Sequence, residues 1–505
     1  MHDPARVDDP LHERRGVLGD QVTQRKRPER VGLPGDRRLF LHRDRDPLQR
    51  PGVPGPVPLL RDPGGVERAE AVEPSVTAFA ETFYDQALDA ARVAEKRYRA
   101  GDARPLEGLP VAVKEEAPIA GHHNTLGSLP LRHEVASETA PFVQRIIDAG
   151  GIVHARTTTP EFSCAPVTWT KLWGVTRNPW NLAYSPGGSS GGSAAALAAG
   201  TATLATGSDI GGSIRIPSSF CGVTGFKPPY GRVPEVPPFN LDHYCHEGPM
   251  ARSVADCALL ENVIAGPHPS DVVSLRPKLE IPSPIEPAAG LRIALSVNLG
   301  CYDVDPDVVA NTLAAAERLW DAGASVTHVS LPWTLADINR AAAIHFGMIF
   351  GPSIRPLYEE HGHDLTPYAR AFAAESDRIA KQDYYPGLEL EAALYAPLGE
   401  LLEEYDALIC PTFAVPALPA KWNHGDLAEG RSDGTWMDVM MTLPFNIASR
   451  CPVLSVPSGR ARNGVPTGLS VVGKTYDDVT AFRVAAAHEE RYAWYTDPAH
   501  RPAIG

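Results

Sequence analysis

The feature that most constrains the fold is a repeated alternation of short apolar segments with longer segments whose apolar residues recur at helical spacing. Strand-like segments include LRIALSV, VTHVSLP, DALICPT, CPVLSVP and TGLSVVG, and helix-like segments such as PDVVANTLAAAERLWDAG lie between several of them. Such alternation is typical of a sheet covered by helices. The sequence therefore predicts an α/β fold, with a large mixed central β-sheet covered by helices in a single domain at residues 71–505.

Two stretches of this domain carry more specific expectations. Residues 78–101, AFAETFYDQALDAARVAEKRYRAG, have helical spacing and are predicted as one helix that ends at Gly101. Residues from about 270 to 400 are rich in proline and aromatic side chains. We expect them to form a lid or a substrate-pocket subregion, with a plain helical flank as the alternative.

The first seventy residues differ from the rest of the chain. They contain thirteen arginines, one lysine and ten prolines, with little hydrophobic periodicity. Proline- and charge-rich segments of this kind are typical of disorder. Residues 1–70 are therefore predicted as an atypical Arg/Pro-rich leader that is either disordered or not authentic protein sequence, such as a GC-rich gene yields when it is read from a wrong start.

Composition excludes several classes of partner and site. The formal net charge of −14 argues against nucleic acid, because phosphate binding requires a basic surface. The seven cysteines are scattered and form no C-x-x-C pair, which is typical of reduced thiols in the cytoplasm and not of a disulfide framework or a zinc site. No apolar run reaches the roughly 18 residues that a membrane-spanning helix requires.

Two loops rich in glycine and serine, SPGGSSGGS and SDIGGSIRIP, lie close together in the chain. Glycine clusters mark places where the backbone approaches another group closely. A phosphate-binding loop requires a lysine after the glycines and a dinucleotide-binding loop requires a preceding strand, and neither requirement is met. GGSSG also matches the nucleophile elbow of α/β-hydrolases, with Ser189 as nucleophile. However, the segment before it is polar and interrupted by proline, whereas the elbow follows an apolar strand.

The second loop is suited to acyl transfer. Ser213 follows two glycines, and the surrounding backbone can form an oxyanion hole with N–H donors from Ile210, Gly211, Gly212 and Ser213. A serine nucleophile needs a partner that takes its proton. Lys114, at the end of the apolar segment LPVAVK, can be that partner if burial or a nearby charge lowers its pKa. On these residues alone, an acyl-transfer site and a structural glycine turn both stay open.

Longer segments resemble the amidase signature family. GLPVAVKEE resembles its catalytic-lysine segment, TRNPWN with SPGGSSGGSAAALAAG resembles its glycine- and serine-rich signature, and GSDIGGSIRIPSSFCGVTGFKPPYGRVP resembles its nucleophile loop. The separations of 75 residues between Lys114 and Ser189, and of 24 between Ser189 and Ser213, also agree with the family. The resemblance extends from about residue 72 to residue 490.

The resemblance implies a role for each of these residues. Ser213 would attack the amide carbonyl and form an acyl-enzyme. Ser189, which in this family follows a cis peptide bond, here Gly188–Ser189, would relay a proton between Ser213 and Lys114. No metal and no organic cofactor are implied. The family pattern further implies that Ser190, Asp209 and Arg215 support the nucleophile loop through polar contacts. For Asp209 and Arg215, an ordinary ion pair is the alternative.

Four positions depart from the usual pattern of the family. Glu115 stands where aspartate is most frequent, which casts little doubt on the neighbouring lysine. His243, Tyr244 and His246 stand where many members have smaller or acidic residues. We expect these three to face the substrate and shape its pocket, and packing against the nucleophile loop is the alternative.

The resemblance implies hydrolysis of a carboxamide to a carboxylate and ammonia or an amine, by a stand-alone amidase of the acylamide amidohydrolase type. The alternative is a glutaminase similar to the A subunit of the tRNA-dependent amidotransferase, which acts with partner subunits on charged tRNA. Cys410 and the segment MTLPFNIASRCPVLSVP favour the stand-alone enzyme. The expected partner is a small-molecule amide in the cytoplasm, without nucleic acid or membrane. Many members of the family are dimers, so a homodimer is a further expectation.

Overall fold

One large sheet organises the fold. The computed structural model describes residues 63–422, 436–497 and 500–504. Within these residues the strands are β1 (Phe79–Thr82), β2 (Pro110–Lys114), β3 (Ile152–Thr157), β4 (Trp169–Thr170), β5 (Gly174–Val175), β6 (Leu204–Ser208), β7 (Thr224–Lys227), β8 (Glu247–Ala251), β9 (Arg292–Leu295), β10 (Ser325–His328), β11 (Ala407–Pro411), β12 (Val453–Arg460) and β13 (Pro466–Gly473).

Eleven of these strands form a single mixed sheet in the order β1-β3-β2-β6-β8-β7-β12-β13-β11-β9-β10, and β4 pairs with β5 in a separate ribbon. The pairs β2–β3, β2–β6, β9–β10 and β9–β11 are parallel. The remaining neighbours are antiparallel. The predicted large mixed sheet is therefore confirmed.

Helices cover this sheet. The described α-helices are α1 (Pro63–Val76), α2 (Tyr84–Ala100), α3 (Pro141–Asp148), α4 (Gly191–Ala199), α5 (Arg215–Cys221), α6 (Val254–Ile264), α7 (Pro306–Asp321), α8 (Leu335–His361), α9 (Pro367–Glu375), α10 (Tyr384–Glu404), α11 (Pro444–Ile447) and α12 (Asp478–Tyr492). Among the described helices, none has the length and apolar character that a membrane crossing would require.

The two faces of the sheet bury two separate apolar clusters, as β11 illustrates. Its side chains alternate, so that Leu408 and Cys410 join one cluster whereas Ala407 and Ile409 join the other. All five residues of the strand are buried. Strands that are apolar on both faces are typical of sheets with helices on both sides, which explains why these segments read as continuous apolar runs in the sequence.

Two expectations for the N-terminal part differ from the structure. Helix α1 begins at Pro63, so the boundary predicted at residue 71 falls inside a helix whose Ala69 and Val72 are buried. Residues 1–62 of the predicted leader lie outside the described residues. The helix predicted over residues 78–101 is divided, because Phe79–Thr82 pairs antiparallel with β3 as an edge strand and only Tyr84–Ala100 is helical. Its predicted end is confirmed, since Gly101 caps the helix in a left-handed conformation.

The sheet brings the candidate residues to one edge. Because β2 and β6 are adjacent and parallel, their C-terminal residues Lys114 and Ser208 lie at the same edge. The loop from Asp209 to Ile214 follows β6 directly, and the first glycine- and serine-rich loop leads into α4. Ligand sites in α/β sheets are typically found outside the carboxyl ends of the strands.

Candidate active site

Lys114 is the centre of a buried polar cluster. Its Nζ lies 2.6 Å from Ser189 Oγ, 2.7 Å from Ser208 Oγ and 2.8 Å from Glu116 Oε1. The lysine is fully buried, and its side chain arrives from β2 between two serines from separate segments of the chain. A buried amine requires such partners because its polar head cannot be solvated. The structure thus brings Lys114 and Ser189 into direct contact.

The two glycine- and serine-rich loops are bonded to each other. The Gly188–Ser189 peptide is cis. The next residue, Ser190, donates its N–H to the carbonyl oxygen of Ser213 at 3.1 Å. Its hydroxyl donates to the carbonyl of Ser208 at 3.4 Å. These contacts attach the Ser189 segment to the loop that carries Ser213.

A buried ion pair lies beneath the Ser213 loop. Arg215 Nε and Nη2 donate to the two carboxylate oxygens of Asp209 at 2.9 and 2.8 Å. Asn446 Nδ2 donates to Asp209 Oδ1 at 2.9 Å. Burial alone would raise the pKa of Asp209, but the Arg215 charge and these hydrogen bonds hold it below its usual range. A charged pair with this many partners can fix the loop in one conformation.

The backbone donors of the loop differ in one position from the predicted set. Gly212 is not free to donate into the site, because its N–H donates to Asp209 Oδ1 at 2.9 Å. Its φ of 125° is a conformation open to glycine, and an added Cβ would lie 2.3 Å from Thr442 Oγ1. Across the described chain, the N–H groups of Ile210, Gly211 and Ser213 have no protein acceptor. The donor set available to a bound oxyanion is therefore three groups rather than four.

A cavity lies beside Ser213. Ser213 is on its wall, together with Gly188 and Gly211. Most of the wall is apolar and comes from distant parts of the chain, namely Cys164, Ala165, Ile210, Ile216, Phe346, Phe350, Phe372, Trp436 and Met440. The described lining includes no charged side chain. Such a cavity favours an uncharged, apolar ligand.

The three residues predicted to shape the pocket lie behind this wall. His246 is buried, with Nδ1 2.9 Å from the carbonyl oxygen of Asp209 and Nε2 3.0 Å from that of Ser449. Tyr244 donates its hydroxyl to Glu391 at 2.9 Å, and His243 Nε2 lies 3.1 Å from the same carboxylate. None of the three is among the residues that line the cavity. Their observed partners are Asp209, Ser449 and Glu391, which favours the alternative that these side chains pack against their neighbours.

His345 packs against the same group of side chains. Its ring stacks on Tyr244 with centroids 3.6 Å apart, and its Nε2 lies 2.7 Å from Asp242 Oδ1. In the described residues, ligand atoms of Asp242, His243 and His345 lie within 4.8 Å of one another, a grouping that sequence spacing does not reveal. The pairs observed in the structure are histidine–carboxylate contacts, and they support the wall through Phe346, which lies next to Tyr244.

Several site residues were not predicted from the sequence. Ser208 could have been found, because it is the first residue of the loop SDIGGSIRIP, directly before Asp209. Glu116 gave no signal beyond its place in the segment GLPVAVKEE. The aromatic wall residues of α8 and α9 were not named individually, but they lie within residues 270–400, for which a lid or substrate-pocket subregion is one of the two expectations.

Comparisons with known proteins identify the family of the chain. The family model "Amidase" matches residues 65–482. An acylamidase from Rhodococcus erythropolis is 32% identical over 441 residues, covering 85% of this chain and 91% of that protein. The A subunit of a glutamyl-tRNA(Gln) amidotransferase from Geobacter metallireducens is 33% identical over 467 residues, covering 86% and 93%.

A solved structure shows the same fold. A bacterial aryl acylamidase of the amidase signature family superposes with a TM-score of 0.80 at 27% identity, over 87% of this chain and 93% of that one. The family model spans most of the chain, and the relatives exceed 30% identity over most of their length. The chain therefore belongs to the amidase signature family and is an enzyme that hydrolyses amide C–N bonds.

Proposed function

We propose that the chain is a stand-alone amidase that hydrolyses an apolar or aromatic carboxamide through an acyl-enzyme on Ser213. The observation that carries this proposal is the 2.6 Å contact between Lys114 Nζ and Ser189 Oγ, because Gly188, the neighbour of Ser189, lines the same cavity as Ser213. A nucleophile, a relay hydroxyl and a buried amine are the components that acyl transfer requires.

In the acylation step, Ser213 Oγ attacks the amide carbonyl carbon. Its proton passes to Ser189 Oγ, and the proton of Ser189 passes to Lys114 Nζ. The negative charge that develops on the carbonyl oxygen is stabilised by the N–H groups of Ile210, Gly211 and Ser213. Donors arranged in advance at such a position contribute about 10²–10³-fold each to the rate.

The same groups act again in the second half of the reaction. The proton held by Lys114 returns through Ser189 to the departing nitrogen, which leaves as ammonia or an amine. A water molecule then attacks the acyl carbon and gives its proton to the same relay. The collapse of this intermediate releases the carboxylate and returns a proton to Ser213, so the enzyme ends as it began.

The cavity supports an apolar acyl group. Phe346, Phe350 and Phe372 form an aromatic wall opposite Ser213, with Met440 and Ile216 beside it. Large aromatic surfaces bind apolar ligands mainly because contact between the two removes apolar surface from water. The name of the related aryl acylamidase is in keeping with a substrate of this class.

A glutaminase role is the second candidate, because amidotransferase A subunits match the chain at a similar identity to the acylamidase. Glutamine carries an ammonium and a carboxylate, and burying either without a partner is costly. The described cavity wall offers no charged side chain to pair with them. This composition favours the stand-alone amidase.

All seven cysteines are free thiols, five of them buried. Thiols persist in a reducing compartment, which supports a cytoplasmic location for the proposed enzyme.

The test is release of ammonia or amine by the purified chain from a panel of aliphatic amides, aromatic amides, anilides and glutamine. The proposal predicts that aromatic amides give the highest kcat/KM and that Ser213→Ala abolishes it. Turnover of glutamine alone would instead support the amidotransferase-type function. Unchanged turnover in Ser213→Ala would overturn the assignment of the nucleophile.

A further inference from the structure

The contacts of Lys114 raise a question of protonation. An ammonium group has three N–H donors and no lone pair. In the structure Lys114 Nζ donates hydrogen bonds to Ser189 and Ser208 and forms an ion pair with Glu116 Oε1. This is the arrangement of a charged ammonium, which cannot accept a proton from Ser189. The relay described above needs the neutral amine, so a proton must first leave Lys114.

Among the three partners, one can take that proton. The hydroxyls of Ser189 and Ser208 are far weaker bases than a carboxylate. Glu116 Oε1 lies 2.8 Å from Nζ, which is hydrogen-bond distance for direct transfer. The Glu116 side chain is 16% exposed, but its Oε1 is buried beside the amine.

We propose that Glu116 is a positioning residue that holds Lys114 against Ser189 and accepts its proton, which prepares the amine for the relay. This inference rests on the proposed function. In the transfer, one N–H bond of Lys114 breaks, an O–H bond forms at Glu116 Oε1, and both charges disappear. No proton is exchanged with solvent. Lys114 then accepts and returns the relay proton while Glu116 keeps the proton that it received.

The surroundings of Glu116 explain how the neutral pair can form. Its other oxygen accepts a hydrogen bond from Ser163, whose side chain lines the cavity. A substrate in the cavity covers Ser163 and excludes water from the pair. Removing water raises the cost of two buried charges relative to two neutral groups. The ion pair is thus the resting form, and a filled cavity favours the reactive neutral form.

Other acidic groups also face Glu116. Burial, with the charge of Glu116 as the next cause, raises the pKa of Glu235 to about 8. Burial, followed by Glu235 and Glu116, raises the pKa of Glu247 well above its usual range. The pKa of the Cys245 thiol is raised by burial and by Glu235. For Glu116 itself, burial would raise the pKa, but the charge of Lys114 keeps it low. These neighbouring acids are therefore less readily ionised than in water, which leaves the Lys114–Glu116 pair as the charged centre.

The test is the pH dependence of the rate at which a fluorophosphonate modifies Ser213, from about pH 5.5 to about pH 7.5, in the wild-type chain and in Glu116→Gln. Wild type should be almost flat with pH, because transfer within the pair does not involve solvent protons. Glu116→Gln has no internal acceptor, so Lys114 must lose its proton to solvent. Its rate should therefore fall steeply as the pH is lowered, because one proton must be lost to solvent before each reaction.

Two results would overturn the proposal. If Glu116 only balances charge, the wild-type rate itself falls steeply with decreasing pH, and Glu116→Gln shifts that fall to lower pH. If Glu116 has no part in the reaction, the variant reacts at the wild-type rate throughout. Glu116→Asp, which retains a carboxylate, should keep the flat profile at a reduced rate, and this rescue separates proton acceptance from packing.

Control variants separate a failure of the proposed function from a failure of the inference about Glu116. Glu235→Gln removes the neighbouring acid that titrates near pH 8 and should leave the profile flat. Thermal unfolding of each variant identifies any that fail to fold. If the fluorophosphonate does not modify Ser213 in the folded wild type, the proposed function fails. If it modifies Ser213 with a steep wild-type profile, the proposed function stands and the inference about Glu116 alone is overturned.

Discussion

Arg215 and Asp209 form a two-point ion pair beneath the nucleophile loop, with both side chains fully buried. Asp209 also accepts the N–H groups of Gly212 and Ile214, so a single carboxylate connects the pair with the backbone around Ser213. The conformation of the loop therefore depends on this pair.

Removal of one partner should be strongly destabilising. Arg215→Ala leaves a buried carboxylate without its counter-charge, so the free energy of unfolding should fall by about 3–5 kcal/mol. Urea unfolding measures this change. The matched control is Arg462→Ala, because Arg462 pairs with Asp307 on the surface and is 82% exposed. Equal losses in the two variants would show that the buried pair does not support the loop.

The relay predicts unequal roles for the two serines that contact Lys114. Ser189→Ala interrupts proton transfer and should lower kcat by about 10²–10⁴-fold. Ser208→Ala removes one hydrogen bond to the same amine but leaves the relay, so its kcat should fall by about tenfold or less. Steady-state kinetics with one aromatic amide measures both. Similar losses in both variants would mean that Ser189 only positions the lysine.

The aromatic wall should determine substrate preference. Phe372→Ala removes part of the apolar surface facing Ser213, so KM for aromatic amides should rise by about tenfold or more, whereas small aliphatic amides should change little. The ratio of kcat/KM for an aromatic amide and an aliphatic amide is the measurement. Trp320→Ala, on the exposed side of α7, is the control and should leave the ratio unchanged. An unchanged ratio in Phe372→Ala would place the acyl group elsewhere.

Acid should weaken the fold through a buried histidine of α12. Burial, together with the nearby Arg318 charge, lowers the pKa of His488 to about 4, whereas the unfolded chain takes up this proton near pH 6.5. Stability is therefore lost as the pH falls from about 6.5 towards 4. The loss amounts to about 3 kcal/mol from this residue. His488→Gln should lose less stability between pH 7 and pH 4.5 in urea unfolding. Parallel profiles for the two proteins would refute this origin.

The sequence was sufficient where a local pattern determines the structure. Apolar runs identified buried strands because strands covered on both faces carry mainly apolar residues, as β11 does. Lys114 and Ser189 could be named in advance because the segments that carry them resemble those of the amidase signature family. The 2.6 Å contact between them depends on the tertiary structure that brings β2 to the Ser189 loop.

The sequence was not sufficient to predict features that depend on tertiary contacts. The residues of β1 have helical spacing, but pairing with β3 draws them into the sheet. Gly212 lies in the loop that was predicted to donate N–H groups to an oxyanion, yet its N–H donates to the nearby Asp209 carboxylate instead. His243 and His246 have the chemistry of pocket residues, but their partners lie behind the loop. The wall is formed instead by helices that follow much later in the chain.

The central claim is that Ser213 is the nucleophile activated through Ser189 and Lys114. It is tested most directly by treating the wild-type chain with a fluorophosphonate and locating the adduct by peptide mass spectrometry. The account predicts a single phosphonyl group on Ser213, formed much more slowly in Ser189→Ala and in Lys114→Ala. An adduct on Ser189, or labelling of Ser213 at the wild-type rate in those two variants, would contradict it.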